Sequence, residues 1–542
     1  MHVVLPRSRR IAGLLIGALA AALALTGTLA TTSATTPSSA SMKAAAAEPT
    51  SINGYRNVGY FVQWGVYGRA FKLKQLETSG VADDLTHLNY AFGNIHHESL
   101  TCFEANKAQG EGPNGSDGAG DAYADYGMSY AAGDSVSGAA DTWDQPLAGS
   151  FNQIKQLKAK HPDLKVLLSL GGWTWSKNFS LAAATPEARR KLVSSCIDLY
   201  IKGNLPVIDG RGGAGAAAGV FDGFDIDWEW PGSPNGNAGN HVDPEHDKEN
   251  FRLLLAEFRS QLDALGDGYE LSAFLPANPE DIEAGGWNDP RNFESLDFGN
   301  IQGYDLWGAW DPTLTGHQGN LYADPADPRP DGKRFSVDES VREYLDAGIS
   351  PSQLGLGMAA YGRGWQGATS ADPWGPATAA APGTYEAGNE DYDKLKTRGT
   401  EHYDAEVGAA WRYDGNQWWS YDNVSTIEQK AAYAISKGLG GGMWWELSGD
   451  RQGELIGTFA DAVRNGGGGP VEDPDPTEDP TEDPTEDPTD PPAGATAWSS
   501  AAVYVAGDRV THGGHLWEAK WWTQGNTPGT EDWGPWKDLG TA

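Results

Sequence analysis

The stretch Asp222-Gly-Phe-Asp225-Ile-Asp227-Trp-Glu229 sets three carboxyl groups two residues apart. On an extended strand alternate residues share a face, so Asp225, Asp227 and Glu229 form a row with a step of about 7 Å. The other face carries Phe224, Ile226 and Trp228, which leaves no side of this strand free to be a solvated acidic edge. Turned inward, such a row cannot ionise together cheaply, and shared protons with raised pKa values follow. A carboxyl that keeps its proton near neutral pH is a general acid. Glu229 ends the row and is the residue placed to present that proton to a ligand.

The elements that must hold this row can be read from hydrophobic periodicity. Eight short apolar runs occur at Val58–Trp64, His87–Phe92, Lys165–Gly171, Gly223–Trp228, Glu270–Phe274, Gly299–Tyr304, Gly355–Tyr361 and Gly441–Trp445. Helical patterns at Phe151–Lys160, Pro186–Lys202, His246–Leu265, Asp338–Ala347 and Ser425–Lys437 fall between them. Strand-helix alternation with eight strands predicts an α/β fold, a (β/α)8 TIM barrel, with the carboxylate row pointing into it and Glu229 at its C-terminal mouth. A doubly wound sheet is the alternative, but no Gly-rich phosphate loop opens the first helix. Gln366–Ser420 is too long for a barrel loop and reads as an inserted small α+β subdomain. A second insertion, Ala105–Ala140, is rich in Gly, Asp and Ala and has no readable role.

Composition narrows the partners. A net charge of −35 and a pI near 4.5 repel nucleic acid and anionic membranes, so neither is expected as a partner and a neutral substrate fits better. The 22 Trp and 20 Tyr exceed what cores need, and aromatic planes stack on the apolar face of sugar rings.

The ends of the chain point outward from the cell. Arg7, Arg9 and Arg10 precede an apolar stretch from Ile11 to Leu25 and Ala/Thr/Ser-rich sequence to Ala47, the pattern of an export signal over 1–47. That stretch is shorter than the ~20 residues a bilayer span needs. A secreted, extracellular protein is expected, by the general or the twin-arginine route. Cys102 and Cys196 are the two cysteines, either bridged in an oxidising exterior or two buried thiols. The catalytic unit is read as 51–464. Residues 465–495, Gly-rich and then a repeat of Thr-Glu-Asp-Pro, form an extended linker. Residues 496–542 form a small all-β module with Trp498, Val503, Val510 and Leu516 as core. Neighbouring Trp521 and Trp522 point to opposite faces of a strand, so one is core and one exposed, and Tyr504 is a second candidate for the exposed surface.

The octapeptide resembles the Asp-x-x-Asp-x-Asp-x-Glu signature of glycoside hydrolase family 18 chitinases. Ser169-Leu-Gly-Gly172-Trp173, Tyr304-Asp305, Tyr361-Gly-Arg363, Val62 to Arg69 and Gly442 to Glu446 resemble the family's third, sixth, seventh, first and eighth strands. Gln302 departs from the family, which often has Met there. The resemblance implies hydrolysis of β-1,4-linked N-acetylglucosamine polymers with retention, in which the substrate's own acetamido oxygen attacks C1. It implies no metal and no cofactor, and chitin or chito-oligosaccharides as the partner of a monomer. Glu229 would protonate the glycosidic oxygen. Asp227 would turn between Asp225 and the acetamido N–H, and Tyr304 and Asp305 would hold the acetamido group and water. Trp445 would floor the sugar at the cleavage point, with Trp64 on the glycone side and Trp173 and Trp310 on the aglycone side. Tyr361 would line the same cleft. Arg363 would bond sugar hydroxyls or pair with a carboxylate. Ala519 to Gly525 and Gly534 to Trp536 resemble carbohydrate-binding modules of families 5 and 12, implying a chitin-binding module. Against this stand a catalytically dead lectin on the same barrel, another polysaccharide hydrolase such as a cellulase, and an endo-acting enzyme on other glycans.

Overall fold

The structure, a computed structural model, describes residues 50–105, 119–466, 496–500, 502–504, 508–520, 523–530 and 536–541. The export signal at 1–47 and nearly all of the linker at 465–495 lie outside the described residues, as do Trp521 and Trp522. Among the described residues no helix is long and apolar enough to cross a membrane.

Eight parallel strands close into a barrel. They are β1 (Arg56–Val62), β2 (His87–Gly93), β3 (Lys165–Gly171), β4 (Gly223–Asp227), β5 (Glu270–Leu275), β6 (Phe298–Ile301), β7 (Leu354–Ala359) and β8 (Gly441–Trp445). Neighbours in sequence are neighbours in space, and β1 pairs with β8 to complete the ring. Each matches one of the eight apolar runs within a few residues. Fully buried parallel strands read as continuous apolar runs because helices cover their outer faces. On β4 that outer face is Phe224, packed on Phe258 at 5.3 Å, with Trp228 just beyond packed on Phe179 at 5.2 Å and Phe251 at 6.0 Å. Phe251 and Phe258 sit seven apart on the helix Asp247–Asp263, on one stripe.

The helices start where their caps stand. Thr185 accepts the Ala188 N–H ahead of Pro186 at the head of Pro186–Cys196, while Ser336 with Glu339 forms a capping box on Val337–Leu345. Asn423 caps Val424–Ser436 in the same way. Pro186–Cys196 continues as one wide turn, Ile197–Ile201, which explains the longer apolar pattern read from the sequence. A final helix, Glu454–Asn465, buries Leu455, Ile456, Phe459, Ala460 and Val463, a helical spacing that the sequence reading passed over.

The subdomain is larger and more sheet-like than its sequence suggests. It begins at Tyr361 and not after it: β7 ends at Ala359, and Tyr361–Gln366 is already the first strand of a six-stranded antiparallel sheet. That sheet runs through to Gln417–Tyr421, and its helix is the single turn Tyr392–Leu395. The described part of the other insertion also has a place. Asp125 accepts the Tyr90 hydroxyl of β2 at 2.5 Å and the Gln63 amide at 2.8 Å, and the Tyr126 hydroxyl donates to the Pro206 carbonyl at 3.0 Å. The first two bonds fasten the insertion to β2 and to the residue just past β1, and the third ties it to the hairpin strand Leu205–Ile208.

The C-terminal module contains a four-stranded sheet of Thr496–Ala497, Arg509–His512, His515–Ala519 and Trp536–Thr541, beside a pair formed by Val503–Tyr504 and Thr523–Gln524. Its core is Tyr504, Val510, Ala519 and Trp536. Tyr504 therefore corrects the sequence reading: it is 7% exposed, its ring meets Trp536 at 5.1 Å, and its hydroxyl accepts the Ser499 N–H at 2.6 Å. A unit this small has few apolar residues, and the tyrosine body is needed inside. Val510 is core as read, Trp498 packs partly against it, and Leu516 is half-buried.

Cys102 and Cys196 are bonded to each other across a sequence separation of 94 residues, fastening the segment after β2 to the end of helix Pro186–Cys196. A cross-link over so long a loop removes much unfolded-state freedom and stabilises by about 2–4 kcal/mol. The double substitution Cys102→Ser, Cys196→Ser is therefore expected to lower the calorimetric melting temperature. An unchanged value would show that the bridge does not constrain the unfolded chain.

Candidate active site

The inward face of β4 carries Asp225 and Asp227, both buried, and the half-buried Glu229 follows where the strand ends. Around Asp225 three hydroxyls converge from three other strands. Tyr60 of β1 donates to Oδ2 at 2.6 Å, Ser169 of β3 to Oδ2 at 2.9 Å, and Ser272 of β5 to Oδ1 at 2.6 Å. Ser169 also lies 3.0 Å from Asp227 Oδ2, so one hydroxyl bridges the two carboxyls. Asp227 Oδ1 has no protein partner although it is buried. It is the atom free to accept or donate toward a ligand.

Electrostatics grade the row. Burial raises the pKa of Asp225, but its three hydroxyl donors oppose the shift. Asp227 is driven much higher, by burial first and then by the charges of Asp225 and Glu229. Glu229 is pushed up to about 8, by burial first, then by Asp305 and Asp281. The innermost carboxyl is thus the best solvated by protein groups, and Glu229, the outermost, holds its proton into the neutral range. A proton on Glu229 at pH 7 makes it an acid able to protonate a leaving group.

The motif glycines are a consequence of this packing. Gly171, at the end of β3, has φ +109°, and a Cβ there would stand 2.4 Å from the Asp227 carbonyl oxygen and 2.6 Å from the Phe179 ring. A side chain at that position would push β3 away from the carboxylate strand.

The other sequence-predicted residues gather at the same mouth. Tyr304 is buried beside Phe274 at 6.2 Å and Tyr361 at 6.1 Å. Asp305 sits in the left-handed backbone region, φ +57°, and is held there by Arg363, whose Nε and Nη2 each reach one carboxylate oxygen at 2.7 Å. Of the two readings of Arg363, pairing with a carboxylate is the one present here. Its guanidinium also lies over Tyr361 at 5.2 Å and Trp310 at 5.5 Å. Trp445 is half-buried on Phe92 at 5.6 Å and Tyr60 at 5.2 Å, and Trp64 on Trp175 at 5.5 Å. Trp173 and Trp310 are 50% and 58% exposed, so each presents a face to solvent.

Three groups escaped the sequence reading. Tyr60 and Ser272 place hydroxyls within otherwise apolar buried runs, which was the available signal. Asp281 heads the helix Pro279–Gly285, where it accepts from Ser233 at 2.5 Å and Asn235 at 2.9 Å. Nothing local in the sequence connects it with Glu229.

The model of glycosyl hydrolases family 18 matches residues 56–450, and that of carbohydrate-binding module family 5/12 matches residues 497–537. Chitinase C of Streptomyces lividans is 39% identical over 401 residues, covering 72% of this chain and 57% of its own. Chitinase A1 of Niallia circulans is 34% identical over 465 residues, covering 80% of this chain and 62% of its own. The chain thus spans about three-fifths of the length of these curated relatives. Among solved structures, the catalytic domain of a psychrophilic chitinase B from Arthrobacter TAD20 is 72% identical, with a TM-score of 0.77 over 78% of this chain and 98% of that one. Chitinase ChiA74 from Bacillus thuringiensis is 26% identical, with a TM-score of 0.62 over 90% of this chain and 80% of that one.

A carbon-13 titration of the carboxyls, comparing the chain with Asp281→Asn, reads these electrostatics directly. Glu229 should be half-protonated near pH 8, and removing the like charge at Asp281 should move that midpoint to lower pH. A midpoint near the ordinary glutamate value would remove the basis for treating Glu229 as an acid at neutral pH.

Proposed function

Because the chain belongs to glycosyl hydrolases family 18, we propose that it is a secreted chitinase, cleaving β-1,4 linkages between N-acetylglucosamine units with retention of configuration. The observation that carries this reading is the carboxyl row on and just past β4, with Glu229, its pKa pushed up to about 8, at the outer end and an unpartnered Asp227 Oδ1 behind it. Its geometry suits an acetamido substrate. A retaining enzyme with its own nucleophile sets two carboxyls ~5 Å apart on opposite sides of the scissile bond. Here Asp227 and Glu229 stand on one strand and face the sugar from one side, so neither can attack from behind while the other protonates. The acetamido oxygen of the substrate fills that role. Asp227 accepts the acetamido N–H and aligns the oxygen with C1. Glu229 gives its proton to the departing oxygen, and as carboxylate it then removes a proton from the water that opens the intermediate.

The surrounding residues complete the pocket. Tyr304 and the Arg363-clamped Asp305 hold the acetamido group and the water, and Trp445 forms the floor under the sugar. Trp64 stacks on the glycone side, with Trp173 and Trp310 on the aglycone side. The name chitinase carried by the relatives, and the appended segment that matches a carbohydrate-binding module, support chitin over other glycans. The export signal read at 1–47 supports an extracellular site of action.

NMR of fresh products from partially acetylated chitosan tests the mechanism. Products should appear first as the β-anomer, with N-acetylglucosamine at the new reducing ends, and Glu229→Gln should lose at least a hundredfold in kcat while still binding oligosaccharide. α-Anomer first, glucosamine ends as frequent as acetylated ones, or a Glu229→Gln rate within tenfold of the parent would overturn it. Deleting 493–542 should slow hydrolysis of insoluble chitin and leave soluble oligomers unaffected, because a binding module acts by raising local concentration at a surface. Equal losses on both substrates would assign the tail a structural part instead.

A further inference from the structure

An acid whose proton must travel to a leaving oxygen cannot have its carboxyl tied down, so its aim has to come from its backbone. The hydrogen bonds that hold Glu229 reach its main chain from both sides. Its N–H is accepted by Ser176 Oγ at 2.8 Å, and its carbonyl accepts from Asn240 Nδ2 at 2.7 Å. Ser176 is fully buried and turns its own proton to the Gly172 or the Asp227 carbonyl, each 2.9 Å away. One hydroxyl thus joins the ends of β3 and β4 at the acid. Asn240 arrives from the segment 231–246, which passes close beneath Glu229: a Cβ added at Gly236 would stand 2.5 Å from the Glu229 carbonyl oxygen.

That segment is itself fastened at three places. Ser233 and Asn235 donate to Asp281 at 2.5 Å and 2.9 Å. The Asp243 N–H reaches Asp247 at 2.8 Å, and the His241 N–H reaches the Lys177 carbonyl, next to Ser176, at 3.0 Å. We propose that Ser176 and Asn240 are positioning residues that aim the Glu229 carboxyl at the glycosidic oxygen, with the segment 231–246 as their rigid support. The inference rests on Glu229 being the acid. Neither residue meets the substrate or exchanges a proton with it. They fix the φ and ψ from which the acid side chain springs, and a shift of about 1 Å in such a group costs up to a hundredfold in rate.

The test exploits the leaving group. Protonation matters greatly for a sugar alcohol and little for a dinitrophenolate, which departs without help. For Asn240→Ala and Ser176→Ala, kcat/KM on chitotetraose is expected to fall 10- to 100-fold, with KM changed less than threefold. On a dinitrophenyl chitobioside the same samples should lose less than threefold. Both rates are read on one sample, so an inactive misfolded fraction lowers them equally and cancels in their ratio. A ratio equal to the parent's in both variants overturns the proposal, as does a loss under twofold on chitotetraose. Glu229→Gln serves as the control: if it retains the parent's rate on chitotetraose, the acid assignment has failed, whereas an inactive Glu229→Gln beside unselective Ser176 and Asn240 variants rejects the clamp alone.

Discussion

Moving an ionised carboxylate out of water costs several kcal/mol unless protein groups replace its hydration, and this molecule moves three of them into one strand face. The arrangement of the barrel mouth follows from that cost. For Asp225, the deepest, hydroxyls from β1, β3 and β5 replace much of that hydration and oppose the upward pull of burial on its pKa. Asp227 shares one of those hydroxyls and has an oxygen left over, so burial and then the charges of Asp225 and Glu229 push its pKa well up. Glu229 is pushed up to about 8, by burial first and then by the like charges of Asp305 and Asp281, and keeps its proton at neutral pH. A charge that does remain near it, on Asp305, is matched by the two-pronged guanidinium of Arg363. Each group is placed so that the number of uncompensated charges in the mouth is small, and the by-product is a proton available at neutral pH.

The barrel encloses those charges because its outer faces are covered by aromatic packing, and six of the tryptophans are buried in the two cores while two stand open at the mouth. Trp228, Trp287 and Trp444 are buried against the barrel, and Trp365, Trp418 and Trp419 are buried in the subdomain. Trp173 and Trp310 stand open at the mouth. An indole costs little when buried with its N–H satisfied, as Trp444 is by Asn57 at 2.8 Å, and it offers a wide apolar plane when left exposed.

Much of this was legible in the chain. The eight strands announce themselves as unbroken apolar runs because both their faces are buried, and the carboxylate row stands out because polar residues alternate where none should. What escaped was set by contacts between distant segments. Arg363 had two equally good partners on paper, and only the fold brings Asp305 within reach. Tyr361 opens the subdomain sheet and does not close β7, because the chain bends at Ala360 where no turn signal stands. Tyr504 looked like a surface ring and is core, since so small a module has little else to fill its centre. Ser176 and Asn240 gave no signal at all: they bond the main chain of a residue far away in sequence, at no fixed spacing a pattern could show.

The way the subdomain is inserted bears on how such a chain reaches its fold. The strand that leaves the barrel, Tyr361–Gln366, is paired directly with the strand that returns, Gln417–Tyr421, with Arg363 opposite Ser420. Once that ladder has zipped, the intervening residues no longer count as slack between β7 and β8. The remaining path is a few residues out, a few back and the crossover helix Val424–Ser436, much like other links in the ring. Loop-closure entropy grows with the length of chain that stays free, and long-range contacts form slowly when that length is large. The insertion thus folds itself out of the search, and the last seam of the ring can form at a pace set by an ordinary strand-helix-strand unit.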